Sequence, residues 1–208
     1  MTKSRYRPEL SLAVGDTALY SLAAREHAAD AARARDAAAD LTKRAIDIAG
    51  ALAGLALFGP PMLIIAPLAS LDGASPIFAH RRIGRDGRPF RCLKFRTMAP
   101  DAEARLKALL ESDPRARTEW DRDHKLRNDP RITRVGAFLR RTSLDELPQF
   151  INVLKGDMSL VGPRPIVSDE IPRYGERFVL YASCRPGITG IWQVSGRNNT
   201  SYEHRVAL

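Results

Sequence analysis

The longest apolar stretch of the chain runs from Ile48 to Leu71 and contains no charged residue. It holds about 24 residues, which is long enough for a helix to cross a lipid bilayer. Pro60 and Pro61 lie midway and remove two consecutive backbone donors, so they predict a kink or a reversal of direction. Residues 41–72 are therefore predicted to form a proline-broken membrane helix.

The charges on either side of this stretch bear on its topology. A spanning helix tends to keep its flanking basic residues on one side of the membrane. Here basic residues flank both ends: Lys43, Arg44, His80, Arg81, Arg82 and Arg85. We therefore favour a re-entrant helix that enters the membrane, bends at Pro60-Pro61 and returns to the same face. A kinked span and a buried core hairpin remain as alternatives.

The first 40 residues have a different character. They are rich in Ala, Arg and Asp, a composition that favours helix but supplies no broad apolar stripe. We interpret residues 1–40 as a solvated helix or a partly ordered arm. The sequence near the N-terminus lacks an apolar core followed by a small-residue cleavage site, so the arm does not resemble a signal peptide.

Beyond residue 72 the uncharged run ends, and the pattern of polar and apolar residues becomes that of a soluble domain. An Asp86-Gly87 turn followed by the strand-like segment 90–96 predicts a β-hairpin. Residues 101 to about 125 are predicted to be helical, and a short amphipathic helix is predicted around residues 132–139. Glycine and proline beyond Gly162 indicate loops. The predicted fold is α+β and mainly helical: a small cytosolic catalytic domain at 73–208 with a β-hairpin, anchored by the proline-broken helix.

The composition and net charge of the chain limit the classes of molecule that it is expected to bind. The chain has 208 residues, 44% of them hydrophobic, and a net charge of +9 with a pI near 10.1. That charge implies an anionic partner: nucleic acid, anionic lipid or a phosphate-bearing substrate. Nucleic-acid binding would leave the long apolar stretch unexplained, so we expect no nucleic-acid partner. Cys92 and Cys184 have no metal-ligand spacing, which argues against a zinc site or a disulfide framework.

Candidate chemistry lies in Ser143-Leu-Asp-Glu-Leu-Pro-Gln149, which is followed by Gly162-Pro-Arg-Pro165. Asp145 and Glu146 can serve as a nucleophile and a hard-cation ligand, and Arg164 can grip a phosphate with two parallel hydrogen bonds. The same segment also fits a helix capping box from Ser143 to Glu146. The two interpretations are compatible, because a helix start favours ionised carboxylates and also attracts phosphate.

The order of short motifs resembles one known family. The motifs are Lys43-Arg-Ala-Ile-Asp47, Lys94-Phe-Arg-Thr-Met98, Asn128-Asp-Pro-Arg131, Ser143-Leu-Asp-Glu-Leu-Pro-Gln149, Gly162-Pro-Arg-Pro165, Arg185-Pro-Gly-Ile-Thr-Gly190 and Ser195-Gly-Arg-Asn198. From about residue 40 onward the chain resembles the monotopic phosphoglycosyl transferases, the bacterial sugar transferase family. Within it, His80-Arg-Arg-Ile-Gly84 and Cys92-Leu-Lys-Phe-Arg96 look most like the exopolysaccharide-initiating undecaprenyl-phosphate galactose or glucose phosphotransferases.

The resemblance implies a two-step reaction. Asp145 would attack the β-phosphorus of a UDP-sugar, UDP-galactose or UDP-glucose being favoured, and release UMP. Undecaprenyl phosphate would then take the sugar 1-phosphate from Asp145, while Glu146 holds Mg²⁺. For further substrate contacts we choose four cations, Lys94, Arg96, Arg140 and Arg164, the last held next to Pro163, and expect them to neutralise phosphate; the alternative for each is a solvated or headgroup-facing charge. Arg185 and Arg197 are candidates for shaping the nucleotide pocket, but we favour a role in ordering the late loops.

The resemblance also implies a location and leaves one alternative. The location is the cytoplasmic face of the bacterial inner membrane, where membrane lipids are partners and a homo-oligomer is left open. Family members continue past the segment matching Tyr202–Ala207, whereas this sequence stops at Leu208. We therefore keep, as the alternative function, a catalytically impaired membrane-associated homologue with a binding or regulatory role.

Overall fold

The computed structural model of the chain describes residues 9–123, 126–194 and 206, and the side chains of residues 37–121, 126–191, 193 and 206. The chain divides into two compact units, Met1–Ile46 and Asp47–Leu208. The described part of the first unit is entirely helical. The second unit carries the strands that the structure describes, and it also carries the candidate site. The domain limits predicted at residues 40 and 72 stay predictions.

Helix α1, Glu9–Ala69, includes all of the apolar stretch except its last two residues. Its backbone remains helical through Pro60 and Pro61, so the helix continues where we predicted that it would break. Among the described residues, the part from Ala37 to Ala69 is the one helix that is long and apolar enough to cross a membrane. An apolar helix able to anchor the protein is thereby confirmed, while re-entry at the proline pair stays a prediction.

One face of α1 packs against the rest of the second unit. Contacts occur at positions three or four apart, which is the spacing of a single helical face. The contacting residues are Asp47, Gly50, Ala51, Gly54, Phe58, Met62, Ile65, Ala66 and Ala69. Leu57, Leu63 and Ile64 on other faces are 69%, 78% and 65% exposed. The alternative of a buried core hairpin is therefore wrong, because such a hairpin would bury these side chains.

The predicted β-hairpin is confirmed. Strands β1, Ile77–Ile83, and β2, Pro89–Phe95, pair antiparallel from Ile77↔Phe95 to Ile83↔Pro89. A short 3₁₀ turn, Arg85–Gly87, connects them, with positive φ angles of 58° at Asp86 and 70° at Gly87. Asp and Gly tolerate this left-handed conformation, which is why the pair signals a turn in the sequence.

Four helices follow the hairpin. They are α2, Ala102–Ser112; α3, Pro114–Asp123; α4, Arg134–Thr142; and α5, Gln149–Lys155. The helical region expected at 101–125 is divided because Asp113 accepts backbone hydrogen bonds from Arg115 and Ala116 and so starts a new helix. Helix α4 is the short amphipathic helix that the sequence predicted.

The last third of the second unit is built from short elements. They are β3, Ser159–Val161; α6, Ile171–Tyr174; α7, Phe178–Ser183; β4, Gly187–Thr189; and α8, Ile191–Val194. Strands β3 and β4 form a parallel pair that sequence analysis did not predict. The described part of the chain is thus mainly helical with a small β-hairpin, as predicted.

Three small apolar clusters hold the second unit together. The first joins Ala51 of α1 to Cys92, Val153 and Met158. The second joins Ile65 of α1 to Phe95 and Leu139. The third is formed by Ile83, Ile166 and Tyr181. Because two of the three clusters include α1 side chains, the apolar helix is a structural component of this unit.

Candidate active site

The two adjacent carboxylates lie in a tight connection between α4 and α5. Ser143 ends α4 in the left-handed conformation, with φ of 59°, and Leu144–Glu146 form a single 3₁₀ turn. The Ser143 side chain makes no capping hydrogen bond, so the capping-box interpretation is wrong. Helix α5 begins only at Gln149, after Pro148.

Hydrophobic residues fix this turn on both sides. Leu144 and Leu147, which flank the two carboxylates, pack on the cluster of Ile65, Phe95 and Leu139. Ile65 belongs to α1, so this helix supports the turn that carries the two carboxylates. Partial burial of these two leucines favours the observed conformation of the turn and so helps to position Asp145.

Asp145 and Glu146 differ in environment. Asp145 is 8% exposed, and burial raises the pKa of its carboxyl. The positive charges of Lys94 and Arg140 oppose this rise in pKa, whereas the negative charge of Glu146 adds to it. Glu146 is more open, and its Oε1 accepts a hydrogen bond of 2.6 Å from Nζ of Lys94. The structure thus brings together four of the predicted residues, Asp145, Glu146, Lys94 and Arg140.

Arg140 is oriented by a contact with the segment after β2. Its Nε donates to Oγ1 of Thr97 over 2.8 Å. Burial acts to raise the pKa of Asp129, but the hydrogen bonds from Arg131 lower it, and the charge of Arg140 adds to this lowering. Arg131 forms a paired ion contact with Asp129, 2.7 Å from Nη2 to Oδ2, and its guanidinium lies over the ring of Trp120. The Asn128–Arg131 motif therefore lies close enough to Arg140 for the charges of Asp129 and Arg140 to interact.

The Gly162–Pro165 loop is shaped by backbone contacts. The amide of Gly187 donates to the Pro163 carbonyl over 2.8 Å, and the amide of Gly162 donates to the Thr189 carbonyl over 2.9 Å. A Cβ at Gly162 would collide with the backbone at Arg185 and Gly187, so this close approach requires glycine. The loop presents Arg164 at an exposed position.

Arg82 of β1 ties this loop to the hairpin. Its Nη1 donates to the Pro165 carbonyl over 3.3 Å and lies 3.7 Å from Oε2 of Glu170. Burial and the nearby charge of Arg164 lower the pKa of Arg82. The hydroxyl of Tyr181 donates to the Ile83 carbonyl over 2.7 Å and accepts from the amide of Ile166. Arg164 thus lies with Arg82 and Glu170 in a second charged cluster, distinct from the one around Asp145.

The structure gives Arg96 and Arg185 structural contacts. The guanidinium of Arg96 binds both carboxylate oxygens of Asp72 and the carbonyls at the end of α1, including Ala69. The hydrogen bond from Arg96 lowers the pKa of Asp72 to about 2. Arg185 donates from Nε to the Gly156 carbonyl over 3.0 Å. A substrate role for these two arginines stays a prediction, and Arg197 lies outside the described residues.

Two important residues were missed by sequence reasoning. Asp47 is 1% exposed and accepts hydrogen bonds of 3.0 Å from the Ser159 hydroxyl and the Leu160 amide, which docks α1 on β3. Asn152, also 1% exposed, binds the backbone of Arg91 and Leu93 and fixes β2 on α5. A signal existed for Asp47, because a carboxylate at the edge of an apolar stretch needs a specific partner.

The donor set decides which metal the site could hold. Within the described ranges there is no group of three or more His, Cys, Asp or Glu side chains that could hold a metal by themselves. Mg²⁺ commonly uses one or two carboxylates and completes its shell with water and substrate phosphates. Glu146 fits that mode, provided that it exchanges its contact with Lys94 for the metal.

A buried carboxylate lies beside cationic side chains, on a domain packed against an apolar helix, and this arrangement suits phosphate chemistry. Comparison with known proteins agrees. The family model described as bacterial sugar transferase matches residues 38–208. The chain therefore belongs to the bacterial sugar transferase family.

Three curated relatives illustrate the match. The undecaprenyl-phosphate galactose phosphotransferase of Salmonella typhimurium is 54% identical over 164 residues, 79% of this chain and 34% of that protein. The exopolysaccharide production protein ExoY of Rhizobium meliloti is 49% identical over 169 residues, 81% of this chain and 75% of that protein. The UDP-glucose:undecaprenyl-phosphate glucose-1-phosphate transferase of Caulobacter vibrioides is 42% identical over 163 residues, 76% of this chain and 55% of that protein. Several relatives are much longer, and the matched region spans about a third of them.

Proposed function

We propose that the protein transfers a sugar 1-phosphate from a UDP-sugar to undecaprenyl phosphate, as the first membrane step of exopolysaccharide or glycoconjugate synthesis. The observation that carries the proposal is the buried Asp145 carboxylate, held in a tight turn within reach of the charges of Lys94 and Arg140. The names of the Salmonella and Caulobacter relatives support the substrate classes, with galactose and glucose as the favoured sugars.

In the proposed first step, a carboxylate oxygen of Asp145 attacks the β-phosphorus of the UDP-sugar. The bond between that phosphorus and the bridging oxygen breaks, and the electron pair leaves on UMP. In the second step, a phosphate oxygen of undecaprenyl phosphate attacks the same phosphorus and restores the Asp145 carboxylate. Dividing the displacement in this way lets a soluble and a lipid substrate use one site in turn.

The cationic side chains would stabilise the charge that develops in both steps. Lys94 and Arg140 already act on the Asp145 carboxyl, and they would equally neutralise the oxygens of an attacked phosphate. We propose that Arg164, on its glycine-dependent loop, contacts a second phosphate group. Glu146, with the diphosphate, would hold Mg²⁺, which supplies further neutralisation of the departing UMP when bound.

The packing of α1 supports a membrane-facing site. From Asp47 to Ala69 a straight helix would be about 33 Å long, yet both ends contact the same unit, through Ser159 and through Arg96. A perpendicular span would drag that charged unit into hydrocarbon. We therefore propose that α1 inserts from the cytoplasmic face of the inner membrane and returns to it. The lipid phosphate then meets Asp145 at headgroup depth.

The decisive experiment uses the full chain in nanodiscs with Mg²⁺, undecaprenyl phosphate and a panel of UDP-sugars. UMP release, lipid product and the intact mass of the protein are read together. We expect a phosphosugar adduct on the parent when the lipid is left out. Asp145→Asn preserves size but removes the attacking anion, so it should form neither adduct nor UMP.

Asp121→Asn is the matched control, because Asp121 is an exposed carboxylate with a 68% exposed side chain. This variant should behave as the parent does. An adduct on the Asp145→Asn protein equal to that on the parent would refute the nucleophile. A parent that releases no UMP from any UDP-sugar would refute the proposed function.

A further inference from the structure

The inner row of the β-hairpin links the two charged clusters of the site. Residues opposite each other in the hairpin share one face, and so do alternate residues along each strand. The observed pairs Phe78↔Lys94, His80↔Cys92 and Arg82↔Phe90 therefore place Lys94, His80 and Arg82 in one row. His80 is the middle member.

The outer members of this row are already engaged. Lys94 reaches the Glu146 carboxylate next to Asp145. Arg82 reaches the Pro165 carbonyl and Glu170, beside the loop that presents Arg164. A molecule that bridges the two charged clusters must therefore pass over His80.

The imidazole of His80 makes no hydrogen bond within the part of the chain that the structure describes, although the backbone of His80 is paired with Cys92 in the hairpin. Its ring is half-buried, with its centroid 5.8 Å from that of Phe78, and the residue opposite it is the buried Cys92. A neutral imidazole carries one donor and one acceptor, and leaving such groups unpaired at a partly buried position is unfavourable. A substrate group is a suitable partner for these nitrogens.

The charges around His80 indicate the kind of group. Burial lowers the pKa of His80, and so do the positive charges of Arg82 and Lys94, against the opposing charge of Glu170. The ring is then neutral when the cell interior is near neutral pH. A neutral ring suits an uncharged hydroxyl, which both donates and accepts, whereas the neighbouring cations suit phosphate oxygens.

We propose that His80 binds a hydroxyl of the sugar ring of the nucleotide sugar and thereby contributes to the choice among UDP-hexoses. This inference rests on the proposed function. A β-phosphate at Asp145 and Lys94 carries the sugar directly on its oxygen. His80 is the diagonal neighbour of Lys94 across the hairpin, about 7–8 Å away between backbone positions, so its ring lies within reach of that sugar.

The test measures kcat and KM for UMP release with UDP-galactose, UDP-glucose and analogues that each lack one hydroxyl. The protein is the full chain in nanodiscs with Mg²⁺ and undecaprenyl phosphate. For the preferred sugar, His80→Ala should lower kcat/KM about tenfold, which is the effect of one lost hydrogen bond in a site built to receive it. His80→Gln keeps a donor and an acceptor, so it should recover part of the loss.

The analogues identify the contact. Deleting one particular hydroxyl should lower the rate of the parent but should have little further effect on His80→Ala. Arg81→Gln is the matched control: Arg81 is the next residue on β1, exposed on the other face, so this variant should keep the parent's sugar preference.

Two outcomes would overturn the inference and separate it from the proposed function. Thermal unfolding must first show that His80→Ala and His80→Gln are folded. If the parent releases UMP and both variants keep the parent's ratio of kcat/KM between UDP-hexoses, His80 does not contact the sugar. If the parent releases UMP from no UDP-sugar, the proposed function fails and this inference fails with it.

Discussion

The contact between Gly54 of α1 and Phe150 of α5 allows a sharp test of how the apolar helix is used. A Cβ added at Gly54 would lie 2.6 Å from Cε1 and 2.7 Å from Cζ of the Phe150 ring. The ring has little freedom to move, since its other neighbours include Phe58, stacked at a centroid distance of 6.2 Å. Gly54→Ala is therefore expected to strain the packing of α1 on the rest of the second unit.

The magnitude follows from two opposing effects. Overpacking a filled core costs about 1–3 kcal/mol. Replacing a helical glycine by alanine returns about 0.5–1 kcal/mol of helix stability. The net loss in free energy of unfolding should be about 1–2 kcal/mol, which corresponds to a Tm lower by about 2–8 °C for a chain of this size.

Gly50→Ala is the matched control, one helical turn earlier on the same face. The added Cβ would overlap only the Cδ1 methyl of Leu160, the end of a flexible side chain that can rotate away. The gain in helix propensity should then balance the small cost of moving Leu160, so Tm should stay within about 2 °C of the parent.

The assay is thermal unfolding of the full chain in nanodiscs, followed by tryptophan fluorescence, with UMP release measured on the same samples. Phe150→Leu combined with Gly54→Ala should recover part of the lost stability, because the smaller side chain leaves room for the methyl group. The packing of α1 on α5 would be refuted if Gly54→Ala were as stable as Gly50→Ala and showed no coupling to position 150.

Three further predictions concern chemistry and topology. Glu146→Gln should lose Mg²⁺-dependent turnover, because Mg²⁺ ligation needs the carboxylate. Its Tm should stay near that of the parent, because the partly exposed ion pair with Lys94 adds little stability. Unchanged activity across an Mg²⁺ titration would contradict a metal-ligand role for Glu146. Burial raises the pKa of Asp145, so its attacking carboxylate should take up a proton at a higher pH than an ordinary aspartate does as the solution is acidified. Adduct formation should be lost over the same pH range. A loss of activity that begins only at about pH 3.9 or below would contradict this prediction. Replacing Pro60 and Pro61 by Ala should let the helix span the membrane, so that one of two cysteine labels flanking the stretch becomes accessible from the periplasm. In the parent, neither label should be accessible from that side. Periplasmic labelling of only one of them in the parent would establish a true span.

Sequence patterns predicted correctly the turn and the helix that depend on backbone preferences and hydrophobic spacing within a few residues. The Asp86-Gly87 turn needs a left-handed conformation that these residues tolerate, and the structure has it there. The amphipathic spacing at residues 132–139 became α4 for the same kind of reason. The capping box failed because Ser143 was needed to end α4, an event set by the preceding helix rather than by the motif itself.

The motif Lys94-Phe-Arg-Thr-Met98 shows why side-chain roles could not be read from sequence alone. Lys94 and Arg96 are both cations two residues apart, so the same substrate role was predicted for both. In the structure, Lys94 reaches the site, whereas Arg96 closes the end of α1 through Asp72 and backbone carbonyls. The difference arises from where α1 ends relative to β2, which is a tertiary contact that no spacing within the motif encodes.

The same tertiary contacts connect the apolar helix to the chemistry. Asp47 at one end of the packed face holds β3, and β3 leads directly into the loop that presents Arg164. Ile65, further along α1, supports the leucines on either side of the carboxylates. A helix that served only as an anchor would need neither contact. The packed face of α1 therefore sets the geometry of both charged clusters, while the apolar side chains on its other faces remain exposed.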